Sequence, residues 1–186
     1  MRQVLTAVLI LIAQHGSAAA ELDAWKPLHF LEGTWDAKTT GGSAGAQSRG
    51  VYTFVRELKG HVLARHSESA GRCQGPQDFD CRHSDLFYIY EEGPDQPLKA
   101  IYFDNEGHVI HYEVSVPDPE TVIFESPKST SAPQFRLTYK LHDNVMTGKF
   151  QMRMPAQADW TAYLAWSGAK HPSPSSPRPE SVKERN

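Results

Sequence analysis

The sequence predicts an all-β protein that forms an up-and-down antiparallel closed barrel of about ten strands, preceded by a short N-terminal helix or turn. Three observations lead to this prediction. Apolar and polar residues alternate with a period of two in most of the chain, turn-forming sequences separate these segments, and no stretch of similar length has apolar residues at helical spacing. Short links make neighbouring strands antiparallel, and closure removes the two unpaired edges of a long meander. A two-sheet sandwich is the alternative.

The predicted elements begin with a helix or turn over residues 22–30 and a first strand over residues 34–40. A glycine-rich loop follows at residues 41–50, and combinations such as Lys59-Gly60 suit tight turns between later strands. The other predicted strands cover residues 51–58, 61–69, 85–91, 98–104, 108–116, 121–126, 135–142, 145–154 and 160–167.

The first 20 residues have the pattern of a secretory signal peptide. Arg2 precedes an apolar run of roughly 10 residues, which is too short for a membrane span that needs about 20. Small residues at positions 18–20 then match the signal-peptidase rule, so we expect cleavage after Ala20 and a secreted or periplasmic protein. Residues 21–168 are expected to form one barrel domain, and residues 169–186, rich in Pro and Ser, a disordered tail.

Composition excludes some partners and indicates one covalent link. The formal net charge is -3 and the 19 basic residues are scattered, which argues against nucleic-acid binding. Cys73 and Cys81 are the two cysteines and flank a loop rich in Gly, Pro and Asp. In an oxidising compartment they are expected to form a disulfide, because a C-x7-C pair supplies only two metal ligands.

The start of the first strand carries a family resemblance. The triplet Gly33-Thr34-Trp35 resembles the G-x-W opening of lipocalins and the G-T-W of nitrobindins, both members of the calycin superfamily of β-barrels. The later strands follow in meander order, so the chain is also similar to exported bacterial proteins of this barrel type. The resemblance implies that Trp35, beside Gly33, packs at a closed end of the barrel. Lipocalins usually place an Arg against this Trp after the last strand; here the nearest cation is Lys170.

Neither a cofactor nor a metal ion is expected. Nitrobindins hold haem through a histidine in the last strand, whereas residues 160–170 contain none and Tyr163 stands near that place. His108 and His111 are three residues apart on a predicted strand, so their side chains point to opposite faces and do not readily share one ion.

The most informative local sequence is the hairpin around residues 101–112. Its turn has Asp104 first and Gly107 fourth, which suits a type I turn closed by a glycine bulge and sets Asp104 opposite His108. Alternation then predicts an inward face made of Ala100, Tyr102, Asp104, His108, Ile110, Tyr112 and Val114. Its polar members would either contact a ligand or pair an acid with a base. The alternative is an Asp–His pair that only orders the turn.

Two further strands supply candidate residues. In residues 61–69 neither face is cleanly apolar, so Arg65 is either inward, as an anchor for a carboxylate, or outward and solvated. Near the C-terminus, one predicted face holds Tyr139, and Trp160, Ala162, Leu164 and Trp166 are expected to share one face of the last strand. The candidate ligand-binding residues are Arg65, Tyr102, Asp104, His108, Tyr112 and Tyr139.

The sequence contains no nucleophile elbow, Walker loop, dinucleotide fingerprint or zinc-peptidase motif, and no catalytic residue is assigned. A barrel of this size is wide enough for an interior cavity, so we expect a small, largely apolar ligand inside it. One alternative is an isomerase or hydrolase that uses the inward Asp, His and Tyr side chains. The other is a filled barrel that acts as a structural or interaction module.

Overall fold

The computed structural model describes residues 24–69, 73–77, 79–93 and 96–172. Ten strands close into an antiparallel barrel in which each strand pairs with its neighbours in sequence and the last pairs with the first, as predicted. A 3-10 helix at Lys26–Leu31 precedes the barrel, and a 3-10 turn at Leu58–Gly60 joins the second and third strands. The strands are β1 (Gly33–Gly41), β2 (Arg49–Glu57), β3 (Val62–Ser69), β4 (Ser84–Glu91), β5 (Leu98–Asp104), β6 (Val109–Asp118), β7 (Thr121–Glu125), β8 (Gln134–His142), β9 (Val145–Arg153) and β10 (Thr161–Ala169).

The ends of the chain are only partly described. The expected signal peptide, residues 1–20, and residues 173–186 of the expected tail lie outside the described residues. At the C-terminal side the barrel continues past the expected boundary at residue 168. Lys170 pairs with Trp35, and the backbone N–H of His171 donates to the carbonyl of Thr34 at 2.8 Å. Within the described residues, no helix has both the length and the apolar character needed to span a membrane.

One end of the barrel is closed by the N-terminal 3-10 helix. Its Leu28 and Leu31 are fully buried, and the indole N–H of Trp35 donates to the carbonyl of Leu31 at 2.8 Å. The Lys170 Nζ atom lies 5.2 Å from the centroid of the Trp35 ring. Gly33 has a φ of 109°, which L side chains rarely adopt, and a side chain there would meet Lys170. Gly33 therefore permits the positive φ at the start of β1 and leaves space for the Lys170 side chain.

Aromatic side chains fill the barrel between this end and its middle. Phe87 and Phe124 pack edge to face with ring centroids 4.8 Å apart, and Phe54 and Tyr139 do the same at 5.4 Å. All four side chains are buried, and edge-to-face contact is a preferred geometry for such rings. The half of the barrel near the 3-10 helix is therefore packed.

The last strand contains a β-bulge that overturns one expectation. Ala162 pairs with Gln151 on the outer face, whereas Leu164 pairs with Phe150 on the inner face, because the register shifts between the two. Trp160 and Ala162 therefore do not share a face with Trp166, and the prediction that they do is wrong. Outside the barrel, the Trp160 ring lies 4.0 Å from the guanidinium of Arg136 and 4.5 Å from that of Arg153.

The disulfide between Cys73 and Cys81 is present, as predicted, with Cα atoms 5.5 Å apart. Gln74, just inside the bridge, exchanges two backbone hydrogen bonds of 2.6 and 2.8 Å with Gln47. The bridge and this contact hold the loop before β4 against the loop after β1 at the open end of the barrel. A disulfide is typical of proteins that fold in an oxidising compartment outside the cytoplasm.

We expect Gly33→Ala to lower the free energy of unfolding by about 1–3 kcal/mol, because alanine is strained at this positive φ and displaces Lys170 from the Trp35 ring. Urea denaturation measures the loss. Gly41→Ala is the matched control, since Gly41 lies on the same strand with open space around it. Equal effects of the two substitutions would contradict the role of Gly33.

Denatured protein kept free of reductant should show no free thiol on titration, because both cysteines are joined. Replacing both by serine should cost up to about 3 kcal/mol of stability, since a short loop in the unfolded chain is no longer closed. Detection of two reactive thiols per chain would contradict the pairing.

Candidate functional site

An interior cavity of about 420 Å³ lies between the packed half of the barrel and its open end. This volume is within the range of small-molecule sites, which are concave and mostly apolar with a few placed polar groups. Strands β3–β5 and β8–β10 supply opposite walls, because β4 and β9 are half the ring of ten strands apart. The two walls differ in chemistry.

The wall formed by β8–β10 is apolar. Phe135 and Phe150 stack with ring centroids 5.7 Å apart and an interplanar angle of 9°. The Trp166 indole packs directly against Gly148 of β9, where any Cβ would collide with it. Tyr139 and Tyr163 of these strands also line the cavity. The other lining residues of this wall are Phe135, Leu137, Phe150, Met152, Leu164 and Trp166.

The opposite wall is built around Arg65, which points inward from β3 and is 5 % exposed. Its guanidinium forms an ion pair with Asp85 of β4 and donates to the hydroxyl of Tyr139, which reaches across from β8. Burial alone would raise the pKa of Asp85, but the charge and hydrogen bonds of Arg65 and His83 together outweigh burial and lower it. Both terminal nitrogens of Arg65 are thus engaged by protein groups, and its charge is compensated.

The predicted hairpin patch forms the rim of this wall. Asp104 accepts hydrogen bonds from the backbone N–H groups of Glu106 at 3.0 Å and His108 at 2.8 Å, so it does order the turn. Its second oxygen lies 2.8 Å from Nδ1 of His108 and accepts from the Tyr102 hydroxyl at 3.1 Å. Burial would raise the pKa of Asp104, but the hydrogen bonds from His108 lower it. The Asp–His pair therefore orders the turn and also borders the cavity.

His83 connects the rim to the buried ion pair. Its Nε2 atom is 3.0 Å from the Tyr102 hydroxyl and 3.4 Å from Asp85, and its Nδ1 atom is 3.1 Å from Glu106. The single Tyr102 proton goes to Asp104, so Nε2 of His83 must donate, and Nδ1 facing a carboxylate must donate as well. The bond to Asp85 accordingly raises the pKa of His83 above its ordinary value of 6.5, which favours the imidazolium form.

The floor of the cavity is formed by side chains around Tyr139. The rings of Tyr52 and Trp166 lie 5.7 and 5.8 Å from that of Tyr139, and Tyr112 of β6 is 2 % exposed beside Phe87. Burial raises the pKa of Tyr52, Tyr112 and Tyr139, so these hydroxyls keep their protons.

All six candidate residues from the sequence line this one cavity: Arg65, Tyr102, Asp104, His108, Tyr112 and Tyr139. Sequence reasoning missed His83, Asp85 and Tyr52. The pattern that could have found the first two is their spacing, since His83, Asp85, Phe87 and Ile89 alternate and the last two are plainly inward.

Within the described part of the chain, no three His, Cys, Asp or Glu side chains are placed to share a metal ion. Comparison with protein-family models and with curated proteins finds no match to this chain. The geometry of the cavity itself therefore carries the functional interpretation.

We expect His83→Gln to remove a pH-dependent part of the stability. The pKa of His83 is about 6.5 in the unfolded chain and higher in the folded protein. Protonated His83 therefore stabilises the folded state fully below about pH 6.5, and this contribution is lost as the pH rises through the pKa of the folded protein. The difference in unfolding free energy between wild type and variant should therefore be largest at mildly acidic pH and shrink as the pH rises.

Urea denaturation between mildly acidic and mildly alkaline pH measures this difference. His61→Gln is the control, because His61 is exposed at the opposite end of the barrel, and its profile should run parallel to wild type. A His83→Gln profile that also runs parallel to wild type would show that folding does not raise the pKa of His83.

Proposed function

We propose that this protein is an exported barrel that binds a small, largely apolar ligand in its interior cavity. The observation that carries the proposal is the pair of unlike walls, one apolar and aromatic, the other polar and internally hydrogen-bonded, on opposite sides of an unfilled space. An amphiphilic molecule of modest size fits such a cavity, because its apolar part leaves water on one wall while its polar part is oriented by the other.

Export is part of the proposal. Its support is the signal-peptide pattern of residues 1–20 together with the Cys73–Cys81 disulfide.

Membership of the calycin superfamily is also part of the proposal, and its support lies at the closed end of the barrel. There the Gly33-Thr34-Trp35 opening lies at the start of β1, and Lys170 lies over Trp35 in the manner expected of the lipocalin Arg.

Binding is better supported than the two alternatives. A filled barrel would place apolar side chains where Arg65 and Asp85 stand, and the cavity of about 420 Å³ argues against complete filling. An acid–base enzyme needs a group that exchanges a proton near neutral pH. Asp104 and Tyr102 at the rim are not groups of this kind, because the lowered pKa of Asp104 keeps it ionised and the raised pKa of Tyr102 keeps it protonated. The network is suited to holding a fixed geometry.

Native mass spectrometry of protein purified from its own compartment should reveal a bound small molecule, and organic extraction should release it. Titration with the neutral fluorescent probe N-phenyl-1-naphthylamine then measures access to the emptied cavity. We expect Ile110→Trp to weaken probe binding by about tenfold or more, because Ile110 lines the cavity and the larger ring occupies it.

Val109→Trp is the matched control, since Val109 is adjacent in sequence but 54 % exposed on the outside of the barrel. It should bind the probe like wild type. Thermal unfolding of both variants checks that the barrel is intact. Equal probe affinity in Ile110→Trp and Val109→Trp, with both folded, would refute an interior site.

A further inference from the structure

Three polar atoms in the wall and floor of the cavity lack a hydrogen-bond partner. The described residues contain four such buried side-chain atoms, and one of them, Thr121 Oγ1, lies outside the lining of the cavity. The other three are the Tyr52 hydroxyl, Arg65 Nε and Trp166 Nε1, and all three side chains line the cavity. Tyr52 and Arg65 are 3 % and 5 % exposed. Buried polar groups are nearly always paired, so each of these atoms needs an explanation.

The unpaired groups share one property, which is that each carries a hydrogen to donate. Arg65 Nε and Trp166 Nε1 are donors only, and burial keeps the Tyr52 hydroxyl protonated. The Trp166 indole faces the Tyr52 hydroxyl without a hydrogen bond of normal geometry. Closing that contact by a small rotation would still leave the Tyr52 O–H and the Arg65 Nε–H without acceptors.

The nearby acceptors are already occupied. Asp85 is paired with Arg65 and His83, and Asp104 is bonded to Tyr102 and to the turn at His108. What this part of the cavity lacks is therefore an acceptor atom, and a bound molecule is the natural source of one.

The charge of the lining decides which kind of acceptor fits. Five carboxylate residues line the cavity and its rim, against two arginines and two histidines, so carboxylates are in excess even with both histidines protonated. A ligand carboxylate would be repelled by this excess, and the Arg65 charge that would otherwise bind it is already paired with Asp85. The acidic lining residues are Glu68, Asp80, Asp85, Asp104 and Glu106.

We infer that the ligand carries a neutral hydrogen-bond acceptor, such as the carbonyl of a ketone, ester or amide, held among Tyr52, Arg65 and Trp166. Its apolar part lies along the wall of Phe135, Phe150 and the neighbouring side chains of β8–β10. This inference depends on the proposed function, because it specifies the chemistry of the molecule that occupies the same cavity.

Competition against N-phenyl-1-naphthylamine with four nine-carbon compounds tests the inference near neutral pH. The compounds are 2-nonanone, nonane, nonanoate and nonylammonium, which share an apolar chain and differ in the polar end. We expect 2-nonanone to bind about five- to tenfold more tightly than nonane, the value of one hydrogen bond, and both ions to bind more weakly than the ketone.

Tyr52→Phe removes one donor with almost no change of shape. It should weaken 2-nonanone about fivefold and leave nonane unchanged, while the melting temperature should not fall, because the lost hydroxyl has no partner in the protein. Tyr88→Phe is the control, since Tyr88 lies between inward Phe87 and Ile89 on β4 and points outward; it should change neither affinity.

The outcomes separate the two proposals. Equal binding of nonane and 2-nonanone, both displacing the probe, would mean that water satisfies the donors; the inference would then be wrong while interior binding stands. Tighter binding of nonanoate or nonylammonium than of 2-nonanone would also overturn the inference. Failure of the fluorescent probe and of all four compounds to bind would refute the proposed function, and the inference with it.

Discussion

The pairing of β1 with β10 is the constraint on which the rest of the structure depends, because it turns a meander of ten strands into a ring with an inside. The contact is unusually close where Gly168 faces the backbone of Asp36, since any side chain on Gly168 would collide with that peptide. The register shifts at Thr39/Gly41, where β1 pairs with β10, and at Ala162/Leu164, where β10 pairs with β9. Once the ring is closed, inward residues distant in sequence become neighbours, as Arg65 and Tyr139 do across 74 positions.

The buried ion pair in that interior is hard to explain as a device for stability. Two charges removed from water must overcome a desolvation penalty, and well-packed apolar residues of similar volume often stabilise a protein as much or more. Removing one partner alone, by contrast, typically costs about 3–5 kcal/mol, because the other charge is left buried and uncompensated. Burial of Arg65 and Asp85 therefore adds little to the stability of the fold. Their pairing is better explained by a role in positioning the polar side chains of the cavity wall.

Sequence periodicity predicted much of this, for a clear physical reason. In β5 and β6 alternation is unbroken and the turn chemistry of Asp104 and Gly107 is local, so the inward face and the Asp104–His108 contact could be derived from adjacent residues. The contact between Arg65 and Tyr139 could not, because β8 approaches β3 only after the barrel closes. The bulge in β10 was also invisible, since neither glycine nor proline marks it, and it moved Trp160 to the outside.

The unpaired hydrogen-bond donors lie deep in the cavity, whereas most of the carboxylates lie at its rim. This arrangement determines the direction in which an amphiphilic ligand would lie. Many binding sites leave a ligand's charged group at the mouth, where water and surface cations solvate it. Here Asp80, Asp104 and Glu106 line the rim, whereas the free N–H of Arg65 and the free O–H of Tyr52 lie beside the packed half of the barrel. A neutral carbonyl compound would accept hydrogen bonds from the deep donors and keep its carbonyl away from the rim carboxylates only if its polar end enters first. The hydrogen-bond network from Tyr139 through Arg65, Asp85 and His83 to the rim would then keep those donors fixed before the ligand arrives, so less ordering would be required when it binds.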